Sequence, residues 1–445
     1  MKKNETNFTT GKIISPLIMF SFPLFLGNIL QQLYSIADSI IVGQILGSQA
    51  LASIGVTSPV THLVNSLMMG LSMGVSVSIS QFAGAKETGK LKTVIHTSIL
   101  FFFLLSLALT IIGIFTSHSI LGICKAPANI EPMACIYLQI TFLGTIMSVG
   151  YQVVNAIFRG LGNSLYPLLF LIISSLANII LDLVFVLCLH LGVPGTAWAT
   201  IIAQGISFLW ALLSLRRSYP QYTSSHEFSG TLLKRCLSIG IPSSLKGSAY
   251  WLGNILLMSL ISSYGPIPIA GYSIASKIDA FIQTPMASLS QALSSFVGQN
   301  IGGRKPERIK KGVITSQSFG VAFSIFMTIL VHHYGNNLLG LFAKDADVIA
   351  IGLRYLKIVS TFYVIYALQE VIQGVAIGAG DTIVLFCSTI LAMWALRIPL
   401  AYHLSAKYGT DGIWYSMASG WFVAMIICNG YYLSGRWKRK MTTLK

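Results

Sequence analysis

Residues 165–190 read LYPLLFLIISSLANIILDLVFVLCLH, a run whose one carboxylate is Asp182 and which holds no Lys or Arg. A helix needs about 20 predominantly apolar residues to cross a bilayer, and this run is long enough. Nothing in it alternates with the period of two expected of a lipid-facing barrel strand. Eleven more runs qualify, at 13–42, 50–80, 93–116, 133–157, 194–215, 237–262, 268–297, 313–334, 348–376, 382–404 and 411–434. The expected fold is therefore an all-α polytopic membrane protein with twelve transmembrane helices. The first run carries Pro23, Gln31, Gln32 and Asp38. It is too long and too polar for the apolar part of a cleaved signal, so it is read as a retained helix.

Composition agrees. Of the 445 residues 54% are hydrophobic and 9% charged, against roughly 25% charged in a soluble domain. So few charges cannot cover a surface that faces water, and the bilayer is the expected partner of most of the chain. The net charge of +16 does not indicate nucleic acid, because Lys and Arg fall in short clusters between apolar runs without a basic face. The six cysteines show no CxxC spacing and read as free thiols. No phosphate-binding loop, nucleophile elbow or zinc pattern occurs. That argues against a membrane-embedded enzyme and an ATP-driven pump, and no cofactor is expected.

Orientation follows from the loops. The N-terminus, the 81–92 loop, Arg159, the 214–236 segment, the 304–311 loop and the tail together hold 21 Lys and Arg, whereas the opposite loops hold Lys125, Lys344 and Lys407. Both termini are expected in the cytoplasm, which requires an even number of crossings.

The chain also repeats itself. Gln81-x-x-Gly84 recurs as Gln299-x-x-Gly302 and Gly160-x-Gly162 as Gly378-x-Gly380, both 218 residues on. Pro23 matches Pro242, and Gly192-x-x-Gly195 matches Gly409-x-x-Gly412. A near-constant offset of this kind marks a duplication. The expected division is an N-terminal six-helix lobe at 1–215, a cytoplasmic linker at 216–236 and a C-terminal six-helix lobe at 237–445. Six helices per half is even, so the halves should be related by a pseudo-two-fold axis along the membrane normal, with substrate between them.

The segments Ala37-Asp38-Ser39-Ile40-Ile41-Val42-Gly43, Gln81-Phe82-Ala83-Gly84-Ala85-Lys86, Phe158-Arg159-Gly160-Leu161-Gly162-Asn163, Phe296-Val297-Gly298-Gln299-Asn300-Ile301-Gly302 and Gly378-Ala379-Gly380-Asp381 together resemble the multidrug and toxic compound extrusion (MATE) family over essentially the whole chain. The resemblance implies a secondary active multidrug exporter in a bacterial or archaeal cell membrane. Organic, chiefly cationic, compounds would leave in exchange for Na+ or H+ by rocking of two lobes, in a monomer. It also implies an acidic residue on the first helix, matched by Asp38. An Asn and an Asp one turn apart on the fifth are matched by Asn178 and Asp182, and a threonine on the sixth by Thr200. Where some members carry a carboxylate on the seventh helix, this chain has Lys246.

A charge at the centre of a spanning helix costs at least about 2.5–3.5 kcal/mol, so each one calls for a reason. Asn28, Gln31, Ser35 and Asp38 lie three or four residues apart and share a face. Asp38, Asn178, Asp182 and Thr200 should reach a similar depth on three helices. Two carboxylates with amide and hydroxyl oxygens suit Na+, and the same pair suits proton carriage; a packing role is the plainer alternative. The repeat places Leu257, Leu396 and Leu400 opposite Asp38, Asn178 and Asp182, so coupling is expected in the first lobe alone. Gln31, Ser35, Lys246, Asp279 and Met73 are candidates for the substrate cavity. Lys246 and Asp279, at similar depth, are expected to form a buried ion pair. Glu370 is expected near cytoplasmic water, and Arg397, just before Pro399, is expected to reach outward. Two competing functions are a lipid-linked oligosaccharide flippase of the same superfamily, which would need several cavity cations, and a major-facilitator-type transporter, whose acidic-basic loop is missing.

Overall fold

The protein is described by a computed structural model that covers residues 6–124, 126–223 and 227–442. Lys2, Lys3, Lys125, His226 and Lys445 lie outside the described residues. No strand occurs among the described residues, and twelve long helical segments follow one another. They are α1 (Ile14–Leu46), α2 (Ser48–Ala85), α3 (Thr88–Ile123), α4 (Glu131–Leu143 with Thr145–Gly160), α5 (Leu165–Cys188) and α6 (Gly192–Ser218). Then come α7 (Gly230–Ser262), α8 (Pro266–Gly302), α9 (Pro306–Gly340), α10 (Ala346–Ser360 with Tyr363–Ala379), α11 (Thr382–Tyr408) and α12 (Thr410–Leu433). Seven are single helices long and apolar enough to span a membrane, and the bent pairs α4 and α10 bring the number to nine. The other three, α7, α8 and α12, are long enough at 33, 37 and 24 residues and are more polar.

Large apolar side chains lie open on these helices, among them Phe115, Ile112, Leu209, Phe326 and Leu433. In water such a surface would aggregate; in hydrocarbon it is the ordinary exterior. Helices in lipid gain little from burying oil and associate by close packing at small residues. The repeated Gly-x-Gly motif shows how. A β-carbon on Gly160 would stand 2.6 Å from the carbonyl oxygen of Ser76 on α2, and one on Gly378 would collide with the carbonyl of Ser294 on α8. Each first glycine thus lets two backbones meet. Each second glycine takes up a left-handed turn after its helix, with φ of 86° at Gly162 and 78° at Gly380.

The duplication is written into the backbone at other positions as well. Gly47 and Gly265, Lys86 and Arg304, and Gly192 and Gly409 are three more pairs with positive φ, at the same spacing to within one residue. The bends repeat too. Helix α4 turns by 46° after Leu143, and α10 turns by 58° after Ser360. A bend breaks the intrahelical ladder and frees carbonyls, and a threonine from a neighbouring helix takes one up in each half. Thr110 of α3 donates to the Phe142 carbonyl at 2.9 Å, and Thr328 of α9 donates to that of Ser360 at 2.7 Å.

By contacts the chain separates into two compact units. One is built from Leu26–Ala83 and Glu87–Ser238; the other holds Asn7–Phe25, Gly84–Lys86 and Ile239–Lys445. The start of α1 therefore belongs with the C-terminal helices, and the residues before it explain why. Phe8 is fully buried, edge-on to Phe20 and Phe296. Its N–H donates to Gln299 Oε1 at 3.1 Å, and its carbonyl accepts from Asn300 and Arg308. In the first unit the matching glutamine, Gln81, accepts from Arg235 at 2.5 Å. Each motif glutamine thus accepts from the start of the other half, Gln299 from the residues before α1 and Gln81 from the second turn of α7.

Candidate functional site

Three helices of the first unit bring their polar residues together. Asn178 and Asp182 lie four apart on α5, so one face presents both, and both are buried, at 2% and 0% exposure. Buried polar groups must find partners, and Asn178 has four. With its amide nitrogen turned to the carboxylate, as the surrounding donors and acceptors require, Asn178 donates to Asp182 Oδ2 at 2.7 Å and to the Tyr34 hydroxyl at 3.1 Å. Its carbonyl oxygen accepts from the Thr200 N–H at 3.1 Å and from the Thr200 hydroxyl at 3.2 Å. The Tyr34 hydroxyl of α1 also lies close to that of Thr200 of α6.

Asp182 Oδ2 is thereby satisfied, whereas Oδ1 is buried and has no donor among the described residues. The group within hydrogen-bonding reach is the carboxyl of Asp38 on α1. Two carboxylates facing each other repel unless a proton or a cation stands between them. Tyr137 of α4 lies in electrostatic range of both acids and packs on the apolar cluster of Val42, Ala50 and Val193. The local backbone is also unusual. α1 turns π-helical at Val42–Leu46 and α5 at Val184–Cys188, shortly after each carboxylate. Such widened turns are rare and frequent at functional sites.

All four residues expected at one depth, Asp38, Asn178, Asp182 and Thr200, are thus assembled by the structure. Tyr34 and Tyr137 were not anticipated. Tyr34 was findable, because it precedes Asp38 by four residues and shares its face. Tyr137 carried no such signal. Leu257, the repeat counterpart of Asp38, is buried in an apolar core, so the second unit has no copy of this cluster at that position. No group of three or more His, Cys, Asp or Glu occurs among the described residues. Oxygen from two carboxyls, with the Tyr34 hydroxyl beside them, remains, a set suited to a proton or a hard monovalent cation.

The second unit differs from expectation. Lys246 and Asp279 do not pair. Lys246 donates to Gln373 Oε1, and Gln373 donates to Glu370 Oε2 at 3.2 Å. Asp279, 4% exposed, accepts from Tyr363 at 2.7 Å, Gln283 at 2.7 Å and Tyr355 at 2.9 Å. Equal depth did not bring the two charges together because their helices turn them toward different neighbours. Glu370 is half-buried on a cavity wall, and Arg397, 7% exposed, does not reach outward. Lys246, Glu370 and Arg397 instead line one cavity of about 300 Å³ within this unit. Asp279 stands behind its lining residue Gln283. Gln31 and Ser35 are exposed on α1 and Met73 is half-buried on α2; none of the three lines that cavity.

Comparison with known proteins agrees with this architecture. The model of the MatE family matches residues 23–184 and 242–403, one copy in each half. The "Probable multidrug resistance protein YpnP" of Bacillus subtilis is 29% identical over 438 residues, covering 97% of each chain. The "Probable multidrug resistance protein YoeA" of the same organism is 29% identical over 460 residues, covering 100% of this chain and 99% of that one. Among solved structures, the outward-facing conformation of a multidrug resistance MATE family transporter of the MOP superfamily superposes with a TM-score of 0.90. That chain is 23% identical, with 100% of this chain and 99% of the other covered, and the likeness is one of fold.

Proposed function

The chain belongs to the MatE family, and from that premise we propose that it is a secondary active exporter of organic compounds, driven by inward movement of Na+ or H+. As a member of that family it is a multi-pass membrane transporter rather than an enzyme, with twelve helices in two lobes. The curated relatives named for multidrug resistance support small organic molecules as cargo.

The observation that carries the coupling reading is the pair Asp38 and Asp182, with a buried Oδ1 of Asp182 that lacks a donor among the described residues. A buried acid without a partner is costly, and a proton or a monovalent cation relieves both acids together. Occupied and empty states then differ in the repulsion between α1 and α5. A binding event acts on a conformational equilibrium only through such a difference. Coupling in this reading belongs to the first lobe, expected at 1–215, and reaches the second through the 216–236 linker and α1. The excess of basic residues on one side of the spans supports cytoplasmic termini.

Dye efflux from proteoliposomes under a sodium gradient or a proton gradient, imposed separately, tests this. Export under one of them and none under Mg-ATP alone is expected. A lipid-linked precursor accumulating on deletion, with no dye exported under either gradient, would contradict it.

A further inference from the structure

We propose that the cavity of the second unit binds a carboxylate carried by the exported compound, gripped by Arg397 with Lys246 as the second cation. The proposal rests on the export reading and adds a substrate class to it.

Arg397 closes the π-helical stretch Ile390–Arg397 of α11 and is 7% exposed. A guanidinium has five donors and is always charged. Here Nε is buried with no partner among the described residues, and the one hydrogen bond of the group runs from Nη1 to the sulfur of Met393 at 3.6 Å, a weak acceptor. Gly420 of α12 leaves room beside it, since a β-carbon there would lie 3.4 Å from the Arg397 chain. A buried, unsatisfied guanidinium on a cavity wall is a costly arrangement that an anion would relieve.

The acids nearby do not serve. No ion pair joins Lys246 or Arg397 to any acid among the described residues. Glu370 is linked to Lys246 through Gln373, and Asp279 is already surrounded by two phenols and an amide. The wall holds two cations, and the acids near them, Glu370 on the wall and Asp279 behind it, leave the donors of the guanidinium without an oxygen acceptor among the described residues. A ligand carboxylate supplies that acceptor. A planar carboxylate meets the guanidinium fork with two parallel bonds, whereas a diphosphate brings more negative charge than the wall can balance. Tyr250, Tyr366, Leu385, Met417 and Trp421 line much of the remaining wall, with Gln369, Ser388 and Thr389 between them. Its volume of about 300 Å³ is at the lower end of sites for drug-sized ligands. The cargo is therefore an aromatic or aliphatic body bearing one carboxylate.

A rhodamine dye supplied as its free carboxylate and as its methyl ester isolates the group. Binding to the purified wild-type protein is read by fluorescence anisotropy, and export is read in proteoliposomes under both gradients. The carboxylate is expected to bind about tenfold or more tightly than the ester, the scale of one charge-assisted bond. Arg397→Gln is expected to abolish that preference, bringing the carboxylate down to the affinity of the ester, and Arg397→Lys to restore it in part. Equal binding of the two dyes by the wild-type protein overturns the proposal. So does an equal loss of both in Arg397→Gln, or tighter binding of an isoprenoid diphosphate than of the carboxylate. If neither dye is exported, the export reading fails, and the binding measurement still decides the site. If Arg397→Gln does not fold, the wild-type preference and the Arg397→Lys variant carry the test.

Discussion

Asn178 holds Asp182 from one turn away, its amide nitrogen 2.7 Å from Oδ2. This contact fixes what the acid can do. One oxygen is committed to the amide, the other is buried without a donor among the described residues, and the Asp38 carboxyl lies within reach of the group. α5 thus presents half a carboxylate to α1, at a level sealed on one side by Tyr137 and the cluster of Val42, Ala50 and Val193.

Removing either acid should uncouple the transporter. Asp38→Asn and Asp182→Asn are each expected to insert at wild-type levels and to export no faster than empty liposomes under an ion gradient. The check is dye efflux normalised to the protein incorporated. Wild-type rates in either variant would contradict the assignment.

Tyr34 acts through its neighbours. Tyr34→Phe keeps the ring and removes the hydroxyl that receives the Asn178 amide. Export should persist, with apparent affinity for the driving ion weakened by about tenfold, the equivalent of one hydrogen bond of about 1.4 kcal/mol. Titrating the ion at saturating dye measures it.

Asp279 is kept by its phenols. Tyr363→Phe leaves Oδ1 without a donor, and thermal unfolding in detergent should show a loss of about 1–2 kcal/mol. Tyr355→Phe should cost less, because Gln283 still serves the oxygen that Tyr355 shares with it.

The helical glycines divide into those that touch a neighbour and those that do not. Gly378→Ala, pressed on the Ser294 carbonyl, should destabilise the protein by about 1–3 kcal/mol through overpacking. Gly430→Ala on α12, with nothing near its missing β-carbon, should stabilise by up to about 1 kcal/mol in the same melts.

Much of this fold could be read from the chain. In lipid every spanning backbone must satisfy itself, so the oily runs had few alternatives to helices, and α1 to α12 fall where those runs lie. The duplication was equally visible, since Gly160, Gly162, Gly378 and Gly380 serve demands of packing and turning that admit little else. The bends were not. Neither Leu143 nor Ser360 is followed by proline, and what supports each bend is a threonine on another helix, Thr110 or Thr328. The π-helical turns after Asp38 and Asp182 had no composition to announce them.

The sites divide in the same way. Asp38, Asn178 and Asp182 were legible because polarity inside a bilayer is costly enough to demand a purpose. Lys246 and Asp279 misled because position along a helix gives depth and says little about direction. Lys246 turned to Gln373, and Asp279 to Tyr355 and Tyr363. Arg397 was read as reaching outward, although it is buried on the cavity wall.

The most direct test of the coupling site is an ion-flux measurement driven by a dye gradient alone. Proteoliposomes are loaded with dye, no membrane potential is applied, and uptake of labelled sodium or of protons is followed as dye leaves. The account predicts ion entry in step with dye exit in the wild-type protein, and loss of both in Asp182→Asn. Dye exit that continues in Asp182→Asn with its ion entry intact would contradict it.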